Sequence, residues 1–143
     1  MIDCETLAFI DERVQQIAAV TASPGFTWGK SGNVSSGTFL LNDTVPSNKA
    51  GRLVPLKNGF ITKVFFAAEL DATCTLQILK RVAPGSTILS FTELTTVTLS
   101  AQRVIVETKS GVAVDEEDEL ATRISSGSCK NPTVGVIIQG SNI

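Results

Sequence analysis

Apolar positions in the first twenty residues follow a helical repeat. Between Asp3 and Val20 there is no glycine or proline, and residues with high helix propensity dominate. The large aliphatic side chains recur at steps of three, four and three, which places two at heptad a positions and two at d positions: Leu7, Ile10, Val14 and Ile17. The pattern stops at Pro24 and Gly25, which disfavour helix and permit a turn. The sequence therefore predicts one amphipathic helix in residues 1–22.

From residue 23 to residue 143 the pattern is that of β-structure. Short apolar runs and alternations are separated by Gly, Asn and Ser, and no second helical repeat of useful length follows. The candidate strands begin mostly 8 to 15 residues apart, which is typical of an antiparallel sandwich or barrel. They are Thr38–Leu41, Arg52–Leu56, Phe60–Glu69, Cys74–Val82, Thr87–Leu94, Thr96–Ser100, Arg103–Glu107, Leu120–Ser125 and Thr133–Gln139. Residues 23–143 are predicted to form one β-sandwich head.

Two local patterns refine this picture. Lys57-Asn58-Gly59, Pro84-Gly85-Ser86 and Lys109-Ser110-Gly111 carry turn signals, the first of them an Asn-Gly hairpin signal. In the run Phe60–Ala68, simple alternation puts Phe60 and Phe66 on one face of the strand and Phe65 on the other. A strand that is apolar on both faces is expected to be covered on both faces.

The predicted helix is too short to be stable in water unless its apolar stripe is buried. One alternative is that the stripe packs against the β domain of the same chain. The other is that it pairs with copies of itself, and leucine at a with isoleucine at d shifts parallel coiled coils towards trimers or tetramers. We favour self-association, with Leu7, Ile10, Val14 and Ile17 as the trimer interface, although the stripe extends over only two heptads.

Composition excludes several classes of function. The 143 residues fit one domain with an appendage, and a net charge of −2 argues against a protein that binds nucleic acid by neutralising phosphates. The apolar runs are too short for insertion into a membrane. With no His and no Tyr, Ser–His and Cys–His catalysis cannot be built within the chain, so we expect a protein that is not an enzyme and needs no cofactor.

The cysteines give no sign of a metal or redox centre. Cys4, Cys74 and Cys129 are scattered and contain no Cys-x-x-Cys spacing, so they are interpreted as small reduced hydrophobes. A bridge between Cys74 and Cys129 stays open, although no pattern supports it.

The acidic run Asp115–Glu119 is the densest charge feature of the chain. It lacks the spaced ligands of a calcium loop, so we predict no metal site and interpret it as a solvated loop between strands. A polysaccharide hydrolase or lyase using Asp115, Glu117 or Glu119 is a minor alternative. The single tryptophan, Trp28, is interpreted as a plug at one end of the core in preference to a binding platform.

The layout as a whole, a short coiled coil followed by a β head, resembles a known family. The stretches that carry the likeness run from Lys57 to Phe66, from Cys74 to Lys80, from Val112 to Ile124 and from Pro132 to Ile138. They are similar to the trimeric jelly-roll knobs and decoration proteins of tailed bacteriophages, an architecture also found in tumour-necrosis-factor-like and C1q-like heads. The resemblance implies a homotrimer of sandwiches around a threefold axis, with no catalytic residues to transfer.

We therefore expect a trimeric structural protein of the virion, assembled in the host cytoplasm. It would be a fibre or needle knob or a capsid-decoration protein, and its partners would be other virion proteins or a host cell-surface receptor. The polar loops predicted to carry these contacts are Ser31–Gly37, Asp43–Ala50 and Asp115–Glu119. The alternative within the same functional class is a C1q-like head at the tip of a bacterial surface stalk.

Overall fold

The computed structural model describes residues 25–83, 87 and 89–141. The predicted helix, with Leu7, Ile10, Val14 and Ile17, lies outside the described residues. Within them the chain is mainly β and contains no helix, so none that crosses a membrane is found there. The strands of this part are β1 (Gly25–Gly29), β2 (Asn33–Ser35), β3 (Leu41–Asn42), β4 (Val45–Pro46), β5 (Arg52–Leu53), β6 (Lys57–Arg81), β7 (Phe91–Thr108), β8 (Ala113–Val114), β9 (Glu119–Lys130) and β10 (Thr133–Ser141).

A long antiparallel pair, β6 and β7, forms the spine of the fold. The two strands stay paired from Lys63 with Thr108 to Arg81 with Phe91. The first half of β6 also pairs with β10, which continues to β1, β3 and β4, whereas its second half pairs with β9, which continues to β2. Because the two halves of one strand have different neighbours, the sheet curls around its apolar face, as in a β-sandwich.

The core lies inside this curl and is built mainly from alternate positions of the long strands. Phe66, Leu76 and Ile78 of β6 are fully buried, and β9 and β10 contribute Ile124 and Ile138. Val, Ile and Leu dominate the rest of the cluster, as expected for pleated strands that are buried on one face. These further members include Val34, Leu40, Val54, Leu56, Ile61, Val64, Val97, Leu99, Val114, Leu120, Val134 and Val136.

The predicted strand boundaries are only partly correct. The single strand β6 contains Phe60–Glu69 and all of Cys74–Val82 except its last residue. Pairing with β7 resumes after an irregular stretch between Ala67 and Ala72. The three candidates between residues 87 and 107 are likewise represented by one strand, β7, and Thr38–Leu41 is replaced by the short strand β3. The short strands β1, β2 and β8 lack enough apolar alternation to be predicted.

The predicted Asn58-Gly59 hairpin turn is wrong. Both residues lie at the start of β6, where Gly59 pairs with Val114 of β8. Asn58 does adopt the left-handed conformation that such turns use, with φ of 51°, but its amide donates a hydrogen bond to Asp115 Oδ1 at 3.3 Å. Asn tolerates this conformation in a bulge as well as in a turn, so the dipeptide signal was ambiguous.

Among the residues that the structure describes, the prediction that Phe60–Ala68 is covered on both faces is also wrong. Between Ile61 and Lys63 the register with β10 shifts by one residue, which inserts a bulge. Phe66 remains fully buried, whereas Phe60 is 47% exposed and Phe65 is 39% exposed. The bulge thus breaks the alternation that would have put Phe60 on the buried face.

The two described cysteines are free thiols buried side by side. Cys74 pairs with Gly127 of β9, so Cys129, two residues further along, shares its face of the sheet. Burial, together with the neighbouring Cys74, raises the pKa of Cys129 to about 12, and burial also raises the pKa of Cys74. Both side chains are therefore small protonated hydrophobes at neutral pH, as interpreted from the sequence.

This pair predicts a loss of stability at alkaline pH. A thiol with a higher pKa in the folded chain than in the unfolded chain stabilises the fold fully at pH values below its unfolded-state pKa. That stabilisation is lost as the pH rises towards its folded-state pKa. We expect the urea concentration at the midpoint of unfolding to decrease as the pH rises from 9 to 12. The fall should be smaller in Cys129→Val, which retains the other titrating groups. An equal fall in both proteins would contradict the prediction.

Candidate functional site

The loop Ser31–Gly37 is fastened to one end of β9. Its strand β2 pairs with residues 128–130, and Gly32 exchanges hydrogen bonds with the turn that follows them. The amide of Gly32 donates to Asn131 Oδ1 at 2.5 Å, and the amide of Asn131 donates back to the Gly32 carbonyl at 2.9 Å. The hydroxyl of Ser36 donates to the Ser125 carbonyl at 2.9 Å. The loop therefore presents exposed Ser and Asn side chains from an ordered backbone.

The loop Asp43–Ala50 is anchored near the other end of β9 by a buried serine. Ser47 has no exposed surface, and its amide donates to the Leu40 carbonyl at 2.9 Å. Its hydroxyl donates to the Thr122 carbonyl at 3.1 Å. These bonds hold the loop against the sheet while Asp43 and Thr44 remain exposed.

The acidic loop is organised by its own carboxylates. Asp118 Oδ2 accepts a hydrogen bond from the amide of Asp115 at 2.8 Å, and Asp115 Oδ1 accepts one from the amide of Glu116 at 2.8 Å. The amides of Glu116 and Asn58 lower the pKa of Asp115 because they bond to its ionised form. Glu117 adopts a left-handed backbone with φ of 70° at the tip. Most of this run is an exposed turn, as interpreted from the sequence.

Glu119 departs from that interpretation. It is only 7% exposed, and its Oε1 lies 3.1 Å from Nε of Arg81, which is 1% exposed. The other carboxylate oxygen accepts a hydrogen bond from the Gly51 amide at 2.9 Å. Arg81 also donates from Nη2 to the Asn48 carbonyl at 2.5 Å, and its guanidinium lies 5.1 Å from the centre of the Phe91 ring. Glu119 is thus half of a buried ion pair inside the fold.

The structure links two of the three predicted loops through Arg81, and the third loop lies along the second half of β9. Arg81 contacts Asn48 of one loop and Glu119 of the next, so Asp43–Ala50 and Asp115–Glu119 are tethered to each other through a buried guanidinium. The loop Ser31–Gly37 follows β9 from Lys130 to Ile124, whose carbonyl accepts a hydrogen bond from the Gly37 amide at 2.7 Å. Ile124 is two residues along β9 from Thr122, which holds Ser47. Arg81 was missed in the sequence because a lone arginine within an apolar strand pattern gives no sign of its partner.

The carboxylates considered for catalysis do not share one environment. Glu119 faces Arg81 in the interior, whereas Asp115 and Glu117 lie on the exposed turn. Asp115 and Asp118 line a shallow depression together with Lys80, whose ammonium lies 3.8 Å from Asp118 Oδ2. Within the described part of the chain no three acidic or cysteine side chains are grouped so that they would hold a metal ion.

Trp28 lies in the core, which confirms the interpretation of a plug. It is 3% exposed in β1, and its ring meets that of Phe26 edge to face, with 6.2 Å between the centroids. Trp28 also lies beside a surface depression lined by Lys30, Asp43 and Arg52.

Comparison with known proteins adds little. No protein-family profile matches the chain, and no curated protein matches it. Among solved structures, it is similar to the N-terminal cellulose-binding domain of β-1,4-glucanase C from Cellulomonas fimi, at 18% identity over 78% of this chain and 90% of that one. The TM-score of 0.34 is too low for this likeness to bear on function.

Proposed function

We propose that the chain is a non-enzymatic, trimeric structural protein of a tailed-phage virion, a fibre or needle knob or a capsid-decoration protein. The observation that carries the proposal is the heptad stripe of Leu7, Ile10, Val14 and Ile17, joined by a few residues to a β head. A helix of that length needs a partner for its stripe, and identical chains supply one in register.

The architecture of the head supports the same proposal. Its curled antiparallel sheet is the arrangement from which a jelly-roll-like sandwich is built, which is the finer fold that we infer. Its polar loops are fixed to β9 by hydrogen bonds and a buried ion pair. A rigid scaffold that carries exposed loops is suited to recognition, and three linked copies multiply weak contacts into avidity.

The proposed mechanism is adhesion through these loops. The joint surface of Asp43–Ala50 and Asp115–Glu119, held together by Arg81, would form the main contact with another virion protein or a host cell-surface receptor. The loop Ser31–Gly37, which lies along the second half of β9, would contribute a further contact on each head. The proposed location is the virion, after assembly in the host cytoplasm.

The mass of the purified chain in solution tests the trimer. We expect light scattering to give about three times the 15.1 kDa of one chain, with no dependence on concentration in the micromolar range. A mass of one chain at all concentrations would overturn the proposal, and a stable dimer would overturn the threefold arrangement.

A further inference from the structure

In the part of the chain that the structure describes, an apolar patch is exposed on the outer face of the sheet. It consists of Phe65 on β6 and of Val104 and Val106 on β7, which are 39%, 55% and 50% exposed. Phe65 is the direct cross-strand partner of Val106, and Val104 pairs with Ala67, so the members form one continuous strip. We call this strip the β6–β7 patch.

The floor of the patch is shaped for close contact. Gly135 of β10 lies opposite Phe65, whose ring extends over the glycine: a Cβ at that position would lie 3.5 Å from Phe65 Cδ2. Beside the ring is a shallow depression of about 370 Å³, which Thr133 also lines. An aromatic ring next to an open depression lets an apolar side chain from another molecule insert.

The strip contains no charge. Across the sheet from β7 to β1, the residues in register with Phe65 are Val106, Gly135 and Thr27, and those in register with Ala67 are Val104, Thr133 and Gly29. All of them are apolar, threonine or glycine. Towards the start of β6, the first charged residue on this face is Lys63, one cross-strand pair beyond Phe65. Contact centres are depleted of charge in this way, and an uncharged strip meets its own copy without repulsion.

The position of the patch favours other copies of this chain as the molecules that cover it. Thr27 of β1 lies in the same row as Phe65, two strands away, or about 10 Å. Four residues, Thr21–Pro24, separate the end of the predicted helical repeat at Val20 from β1, so Val20 and Gly25 are at most roughly 18 Å apart. If the helices of three chains meet on an axis, the start of β1 is held close to that axis, and the patch lies two strands away from β1.

We propose that the β6–β7 patch packs against the same patch of the other two chains around the threefold axis. The inference rests on the proposed trimer and adds the surface through which the heads meet. The patch alone is smaller than the area that a stable interface requires, so it acts together with the helices. It also explains why Phe65, placed on an apolar strand, is 39% exposed among the described residues.

A matched pair of lysine variants tests the proposal. Val106→Lys places three like charges near the axis, whereas Leu53→Lys replaces an aliphatic side chain of similar exposure, 58%, on β5. We expect the concentration at which the trimer dissociates to rise about tenfold or more for Val106→Lys. It should be unchanged for Leu53→Lys.

Cross-linking distinguishes the possible occupants. In a Cys4→Ser background, with Cys74 and Cys129 buried, Val106→Cys should give covalent dimers on treatment with diamide, whereas Leu53→Cys should not. A wild-type trimer, with no cross-link in Val106→Cys and no effect of Val106→Lys, would overturn the inference while the trimer stands. A wild-type monomer in which the thiol introduced by Val106→Cys resists maleimide would show instead that the chain's own amino-terminal segment covers the patch.

Discussion

Replacing Glu119 with alanine is expected to lower the free energy of unfolding by about 3 to 5 kcal/mol, because it leaves a buried guanidinium without its counter-ion. Arg81 is 1% exposed and cannot turn to solvent without opening the core. The same change removes the acceptor of the Gly51 amide, so a second buried polar group loses its hydrogen bond. The loss is measured as the shift in free energy from urea denaturation.

Two controls separate the ion pair from general effects on the acidic loop. Glu116→Ala removes an exposed carboxylate three residues away and should change the stability by about 0.5 kcal/mol or less. The double variant Arg81→Met with Glu119→Leu removes both charges together and should recover much of the loss. Equal effects of Glu116→Ala and Glu119→Ala would show that the pair is not the source of stability.

The β class and much of the core follow from the sequence because the physics is local. Alternating Val, Ile and Leu positions such as Leu76 and Ile78 identify inward faces without knowledge of the partner strand. Trp28 was assigned to the core for a similar reason, since a large apolar ring is rarely left in water. Strand lengths were not predictable, because the continuity of β6 depends on the strand with which it pairs.

The features that the sequence missed depend on long-range neighbours. Arg81 and Glu119 are 38 positions apart, and only the register of β6 with β9 brings them together. The exposure of Phe60 follows from a one-residue bulge near Lys63, which leaves no mark in the hydrophobic pattern. In both cases the pairing of strands overrides what the local pattern predicts.

The second large effect is expected at the predicted helix. Ile10 and Ile17 are d positions, so changing both to aspartate places six carboxylates on the axis of a trimer. The charges would be buried and mutually repelling, and the trimer should be weakened by about a thousandfold or more. Light scattering at micromolar concentration should then report the mass of one chain.

The matched control adds the same charge to the other side of the helix. Gln15 and Ala19 lie at b and f positions, away from the stripe, so Gln15→Asp with Ala19→Asp should leave the trimer intact. Fluorescence of Trp28, the only tryptophan and a buried residue of β1, reports whether the head remains folded in either variant. A monomeric variant whose head remains folded would show that the head folds without the trimer. A trimeric mass retained by the Ile10 and Ile17 variant would contradict the assignment of the helical stripe as the trimer interface.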